Sequence, residues 1–346
     1  MEWFSLSISN KLGKGKSLFD CIHILYNSII NVYNTRKTLE AIMAFLEWLS
    51  NLRTPWLDKF MLAITYLGSE IAFLVIALII FWCTDKRKGY YILSVGFVGT
   101  ILNQFMKLWF RIPRPWILKP GFAPVEGAVS DAGGYSFPSG HTQNSVGTFG
   151  GIAYTFKEKW IRYGSIALAI LVPFSRMYLG VHTPADVLVG AAVAVAIILI
   201  LRPLVLKDDG NYFPYVIGGM LALGIAYLLF TELYPFPADV QAENLYEGKK
   251  NAYTLFGCIL GLLPAYYVDK KWIHFSTDAK WWVQIIKVAL GLGLVLAIKA
   301  GLSSPLSSLL GEFPGRCVRY FLMVVFAGIF WPMTFPYWNL LGKKAR

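Results

Sequence analysis

The chain has 346 residues and a formal net charge of +12, yet only 15% of its residues are charged and 56% are hydrophobic, with a mean hydropathy of +0.53. About a quarter of a soluble protein is charged, so this composition excludes the two soluble domains that length alone would allow. Apolar runs near the roughly 20 residues of a membrane helix point instead to a polytopic membrane protein, and the basic surplus fits loops of such a protein rather than nucleic-acid binding.

The first 40 residues do not read as a secretory signal. Lys11, Lys14 and Lys16 precede SLFDCIHILYNSIINVY, but Asp20, His23, Asn27 and Asn31 interrupt that run and no small-residue cleavage site follows. From Ile42 the pattern is amphipathic: Ile42, Phe45, Leu46 and Leu49 share one helical face, with Glu47 and Ser50 off it. Residues 17–60 are therefore expected to form one or two helices lying on the membrane surface. Nine apolar segments follow, at about 62–83, 89–110, 140–156, 161–179, 185–205, 213–231, 251–268, 282–302 and 318–341. The third is short, as expected if its start is set down inside the membrane among other helices. The four cysteines form no CxxC pair and no metal-ligand spacing, so neither a disulfide framework nor a metal site is expected.

Loop charge gives an orientation. Lys86, Arg87, Lys88, Lys157, Lys159, Arg162, Arg202, Lys207, Lys270, Lys271, Lys280, Lys343, Lys344 and Arg346 fall on one side, which the positive-inside rule makes cytoplasmic. The opposite loops hold fewer: Arg111, Arg114, Lys119, Arg176, Lys249, Lys250, Arg316 and Arg319. The basic N-terminal stretch falls on this outer side and runs against the rule.

The outer loops carry chemistry. KLWFRIPRP contains Lys107, Arg111 and Arg114; FPSGH contains Ser139, Gly140 and His141; SRMYLGVHTPAD contains Ser175, Arg176, His182 and Asp186. Ionisable groups at membrane depth are expensive and imply function. Each cluster alone has an ordinary explanation. Lys107 and Arg111 could anchor a helix end, Pro113 and Pro115 would end a helix anyway, and HTPAD reads as a helix start with Thr183 as N-cap. Together they place two helix N-termini, each with a histidine, beside three cations, an arrangement suited to a phosphate.

The order Lys107-x6-Arg114-Pro115, Pro138-Ser139-Gly140-His141, Ser175-Arg176-x5-His182-x3-Asp186 resembles the triple signature of the type-2 phosphatidic acid phosphatase superfamily, which includes vanadium haloperoxidases and glucose-6-phosphatases. Every motif position is present, and residues from about 41 to 205 resemble the family's common core; residues 206–346 lie outside the resemblance. It implies metal-independent dephosphorylation through a phosphohistidine, with no cofactor. His182 would be the nucleophile, Asp186 its orienting partner, and His141 the general acid and then base. Lys107, Arg114, Arg176, Ser139 and the Gly140 N–H would hold the phosphoryl oxygens.

The resulting expectation is an all-α polytopic membrane helix bundle, with about nine transmembrane helices and amphipathic N-terminal helices. Residues 1–60 would form the interfacial helices, 61–205 the phosphatase core with five transmembrane helices, and 206–346 additional transmembrane helices. The expected partners are the bilayer and a phosphorylated lipid, bearing a monoester or diphosphate, with no nucleic acid; a homo-oligomer is compatible with the sequence. The expected location is the cell's inner (plasma) membrane with the site facing the extracytoplasmic side. A soluble sugar phosphate remains an alternative substrate, and a phosphorylated-solute transporter an alternative function.

Overall fold

The structure is a computed structural model that describes residues 18–130, 132–207, 212–238 and 240–341. Lys11, Lys14 and Lys16, which bear on orientation, and the tail cations Lys343, Lys344 and Arg346 lie outside the described residues. The protein is all-helical, with no strand among the described residues. It divides into two units, residues 1–52 and 53–346. In the first, the expected surface helices are α1 (Leu18–Asn34) and α2 (Arg36–Ser50), and α2 buries Met43, Leu46 and Leu49 along one stripe.

The second unit begins with α3 (Pro55–Tyr66) and α4 (Glu70–Cys83), which meet at a bend of 52°. Local sequence sets both starts: Thr54 and Ser69 cap the N-termini by accepting from Leu57 N and Ala72 N, and Pro55 stands at the first helical position of α3. The expected first span is thus a broken one. Then comes α5 (Lys86–Phe110), capped by Asp85 and ended by Arg111 in the left-handed conformation ahead of Pro113. A short α6 (Pro115–Leu118) opens the loop that leads to α7 (Gly140–Ser145). From α7 the helix widens through a π-turn, Val146–Gly150, into α8 (Gly151–Thr155); α9 (Lys159–Tyr178) and α10 (Pro184–Arg202) complete this part. The remainder comprises α11 (Phe213–Leu233), α12 (Ala242–Val268), α13 (Trp281–Gly301), α14 (Ser303–Leu310), α15 (Glu312–Val325), α16 (Trp331–Met333) and α17 (Phe335–Leu340).

Six of these helices, with their extensions, are long and apolar enough to cross a membrane, or seven if the bent α3–α4 pair counts as one span. Nine segments were expected, and the difference has physical causes. The segment Gly140–Thr155 is interrupted by its π-turn and starts among buried groups, with Ser139 and Thr142 fully enclosed. Helix α9 carries Arg162 and Arg176 and an internal Pro173, which dilute its apolar character. The last span runs over Glu312–Met333 rather than 318–341, and the chain turns at Thr334 before α17.

Glycines bring the helices of the core close enough to assemble the loops. A Cβ on Gly68, at the α3–α4 bend, would lie 2.7 Å from the carbonyl oxygen of His141, and one on Gly190 of α10 would lie 2.8 Å from that of Ser139. Backbone cannot retreat as a side chain can, so Gly190→Ala should lower the Tm of the purified protein, by about 1–3 kcal/mol of stability, and displace the turn that carries Ser139. A Tm equal to that of the wild type would show that the contact relaxes without cost.

Candidate active site

Lys107, in the last turn of α5, is buried and donates to the carbonyl oxygen of Tyr135. Arg114, the residue before α6, is held on all sides. Its Nε donates to Gly134 O (3.1 Å), Nη2 to Gly133 O (2.8 Å), and Nη1 to Val181 O (3.0 Å), with His182 Nε2 at 2.9 Å from Nη1. Arg111 instead donates to Leu108 O and Trp109 O at the end of its own helix. The free position of the signature thus serves the helix terminus, whereas the matched one reaches a histidine.

Ser139 is the N-cap of α7, with Gly140 as its first helical residue and His141 as the second; the Ser139 Oγ accepts from Thr142 N and from the Thr142 hydroxyl. Its own backbone N–H donates to Asp186 O at 3.0 Å, which ties this turn to the start of α10. His141 Nε2 is buried and has no hydrogen-bond partner among the described residues. On α9, Arg176 is fully buried and its Nη1 donates to Thr65 Oγ1 of α3 at 2.8 Å.

Helix α10 starts with a capping box: Thr183 Oγ1 accepts from Asp186 N (3.2 Å), and Asp186 Oδ2 accepts from Thr183 N (2.7 Å). The same Oδ2 accepts from the Ser136 hydroxyl at 2.6 Å and lies 3.4 Å from His182 Nδ1; Ser136 Oγ is also 3.4 Å from Nδ1. The carboxylate that caps α10 is therefore the one that faces the His182 ring.

The expected site residues converge. Lys107, Arg114 and Arg176 lie within electrostatic reach of both His141 and His182, and Asp186 within reach of Lys107 and Arg114. Burial, reinforced by those three cations, holds the His182 imidazole well below its ordinary pKa. A guanidinium has no lone pair to give. Nε2 must therefore accept from Arg114, which places the imidazole proton on Nδ1, towards Asp186 and Ser136. The tautomer is thus fixed with a lone pair on Nε2.

Sequence reasoning missed Ser136, Thr65 and Asn103. Asn103 precedes Lys107 by one helical turn; its Nδ2 donates to Pro138 O at 3.2 Å, and its Oδ1 is buried without a partner. A polar residue one turn from a buried lysine in an apolar helix could have been noticed. Nothing local marks Ser136 or Thr65. Tyr135 is buried, with its hydroxyl accepting from Gln241 N at the start of α12. Gly248 of α12 packs against Leu108, beside Lys107. The region beyond residue 206 therefore touches the walls of the site.

Residues 87–209 match the PAP2 superfamily, and residues 253–343 match the transmembrane extension of PAP2 superfamily phosphatases. Phosphatidylglycerophosphatase B of Bacillus subtilis is 31% identical over 164 residues, 44% of this chain and 76% of that protein. Undecaprenyl-diphosphatase BcrC of the same organism is 31% identical over 143 residues, covering 41% of this chain and 71% of its own length. Sphingosine-1-phosphate phosphatase 1 of Mus musculus is 28% identical over 276 residues, covering 74% of this chain and 62% of its own. With the three motifs gathered at one buried site, these matches show that the chain is an integral membrane phosphatase belonging to the PAP2 superfamily.

Proposed function

We propose that the protein removes phosphate from a membrane lipid, a monoester or diphosphate, through a phosphohistidine on His182 and without a metal ion. The observation that carries this reading is the pair of contacts on the His182 ring: Arg114 on Nε2 at 2.9 Å and Asp186 facing Nδ1. They leave the nucleophilic lone pair pointing at a cationic group that a phosphate would draw towards itself. Arg114 then exchanges the imidazole for a phosphoryl oxygen, while Lys107, Arg176, Ser139 and the Gly140 N–H bind the others and stabilise the charge of the transition state. His182 Nε2 forms the bond to phosphorus as the ester oxygen departs, protonated by His141. In the second step His141 takes a proton from water, which attacks the phosphohistidine and releases inorganic phosphate and neutral His182. Asp186 stabilises the imidazolium between the steps. The residues expected to hold phosphate are cations and hydrogen-bond donors, and Asp186, the carboxylate beside them, is committed to Thr183 and Ser136; this supports a mechanism without a metal.

Residues 61–205 supply all these groups, and residues 206–346 would shape access to them. Loop charge supports an extracytoplasmic site within reach of a lipid whose tails stay in the bilayer, and the names of the relatives above support a lipid substrate.

The test is phosphate release by the purified protein from lipid monoesters, lipid diphosphates and glucose 6-phosphate, with excess EDTA present. Lipid substrates should turn over. His182→Ala should form no phosphoenzyme, whereas His141→Ala should still form it from an aryl phosphate, whose leaving group needs little protonation. Activity confined to glucose 6-phosphate, or lost to EDTA and restored by magnesium, would overturn the reading.

Two further outcomes follow from the geometry. Arg114→Lys should cost turnover heavily, because an ammonium cannot reproduce the forked contacts, whereas Arg111→Ala should change it little; equal loss in steady-state assays would mean a generally basic rim. The pH dependence has a defined sign. A lowered imidazole pKa keeps His182 neutral further into acid, so phosphoenzyme formation from an aryl phosphate should hold below about pH 6.5, the ordinary imidazole value. An acid limb centred above that value would contradict the burial of the ring.

A further inference from the structure

Ser136 lies outside the three matched motifs, yet it is fully buried and touches the two groups that would govern the nucleophile. Its position is doubly fixed, since its backbone N–H donates to Ile112 O at 2.8 Å and its hydroxyl to Asp186 Oδ2 at 2.6 Å. The shorter contact matters. Asp186 Oδ2 takes the Ser136 hydroxyl at 2.6 Å and the Thr183 N–H at 2.7 Å, but stands 3.4 Å from His182 Nδ1. Two neutral donors thus stand closer to this oxygen than the imidazole does.

We propose that Ser136 is a positioning residue that moderates the pull of Asp186 on His182, holding the ring neutral before the reaction and keeping the phosphohistidine labile afterwards. This rests on His182 being the nucleophile. A hydroxyl donating to a carboxylate spreads its charge and weakens its hold on Nδ1–H. Without it, the full charge of Asp186 falls on the imidazole and stabilises the cationic ring. Two consequences follow. A stabilised imidazolium resists deprotonation, so less neutral nucleophile is present in acid. A stabilised phosphohistidine, whose ring is cationic, transfers phosphate to water more slowly. The other charged and titratable groups near the ring are Lys107 from α5, Arg114 beside α6, His141 from α7 and Arg176 from α9, and all three cations oppose an imidazolium. A hydrogen bond from the ring to the Ser136 backbone pulls the other way, as does the Asp186 carboxylate 3.4 Å from Nδ1, whose hold the Ser136 hydroxyl is placed to adjust.

The experiment compares wild type with Ser136→Ala and Ser136→Cys, using an aryl phosphate and quenched-flow measurement of phosphoenzyme. Ser136→Ala is expected to move the acid limb of phosphoenzyme formation to higher pH, to raise the steady-state phosphoenzyme level, and to lower kcat roughly tenfold or more, the scale of one hydrogen bond to a buried charge, with KM falling alongside because hydrolysis of the phosphoenzyme is the slowed step. Ser136→Cys, of similar size with a weak donor, should fall between. Asp186→Asn should erase the pH shift caused by Ser136→Ala, because both act through one carboxylate. Unchanged pH limb and phosphoenzyme level in a well-folded Ser136→Ala would overturn the proposal. So would a Ser136→Ala that misfolds while Ser136→Cys behaves as wild type, since packing would then be its role. Phosphoenzyme that persists in His182→Ala would overturn the nucleophile assignment itself, a failure seen without any change at Ser136.

Discussion

Three cations, Lys107, Arg114 and Arg176, are held inside a helical bundle near the Asp186 carboxylate, and the rest of the site follows from making that tolerable. Bringing like charges together out of water is costly, because both desolvation and mutual repulsion grow as the surroundings become less polar. The protein meets this with oxygen acceptors from several elements. Arg114 is surrounded by the carbonyls of Gly133, Gly134 and Val181, Lys107 has that of Tyr135, and Arg176 has the hydroxyl of Thr65. These neutral partners offset desolvation without adding negative charge, which suits the cluster to the doubly charged phosphate proposed above.

The acceptors also explain why the loop between α6 and α7 has a definite course. Gly133, Gly134, Tyr135 and Ser136 lie in one stretch, and each is held by a site residue or by Ile112. The early part of the loop is tied to the end of α9 as well: Arg53 donates to both Ala123 O and Tyr178 O, and Val125 N donates to Leu179 O. The segment is both the scaffold of the arginine and, through Ser136, part of the surroundings of His182. Asp186 shows the same economy, with one oxygen capping a helix and orienting an imidazole. A helix start that must be rigid for chemistry is made rigid by the cap that any helix start would use.

Beyond residue 206 the chain serves the same end from outside the motifs. The start of α12 donates to the Tyr135 hydroxyl, Gly248 packs on Leu108, and Tyr227 of α11 donates to Gly248 O. The added helices thus press on the helix and loop that carry Lys107. These contacts are packing around the site, and the residues proposed for the chemistry all lie before residue 206.

The amino-acid sequence determined the class of protein, the apolar segments and which residues gather at the candidate site. Hydrophobic runs report membrane burial directly, and the spacing of Lys107, Arg114, His141, Arg176, His182 and Asp186 is itself the motif. Capping was equally legible: Thr183, Pro184 and Asp186 started α10 as their types require, because a cap is satisfied within a few residues. Tertiary structure alone decided the rest. The break between α3 and α4, the π-turn after α7 and the roles of Thr65, Asn103 and Ser136 depend on contacts between residues far apart in the chain. Serine and threonine occur throughout any membrane helix bundle, and their types say nothing of their partners. Only the approach of α3, α5 and α10 around the loop before α7 gives those hydroxyls a carboxylate or a guanidinium to meet.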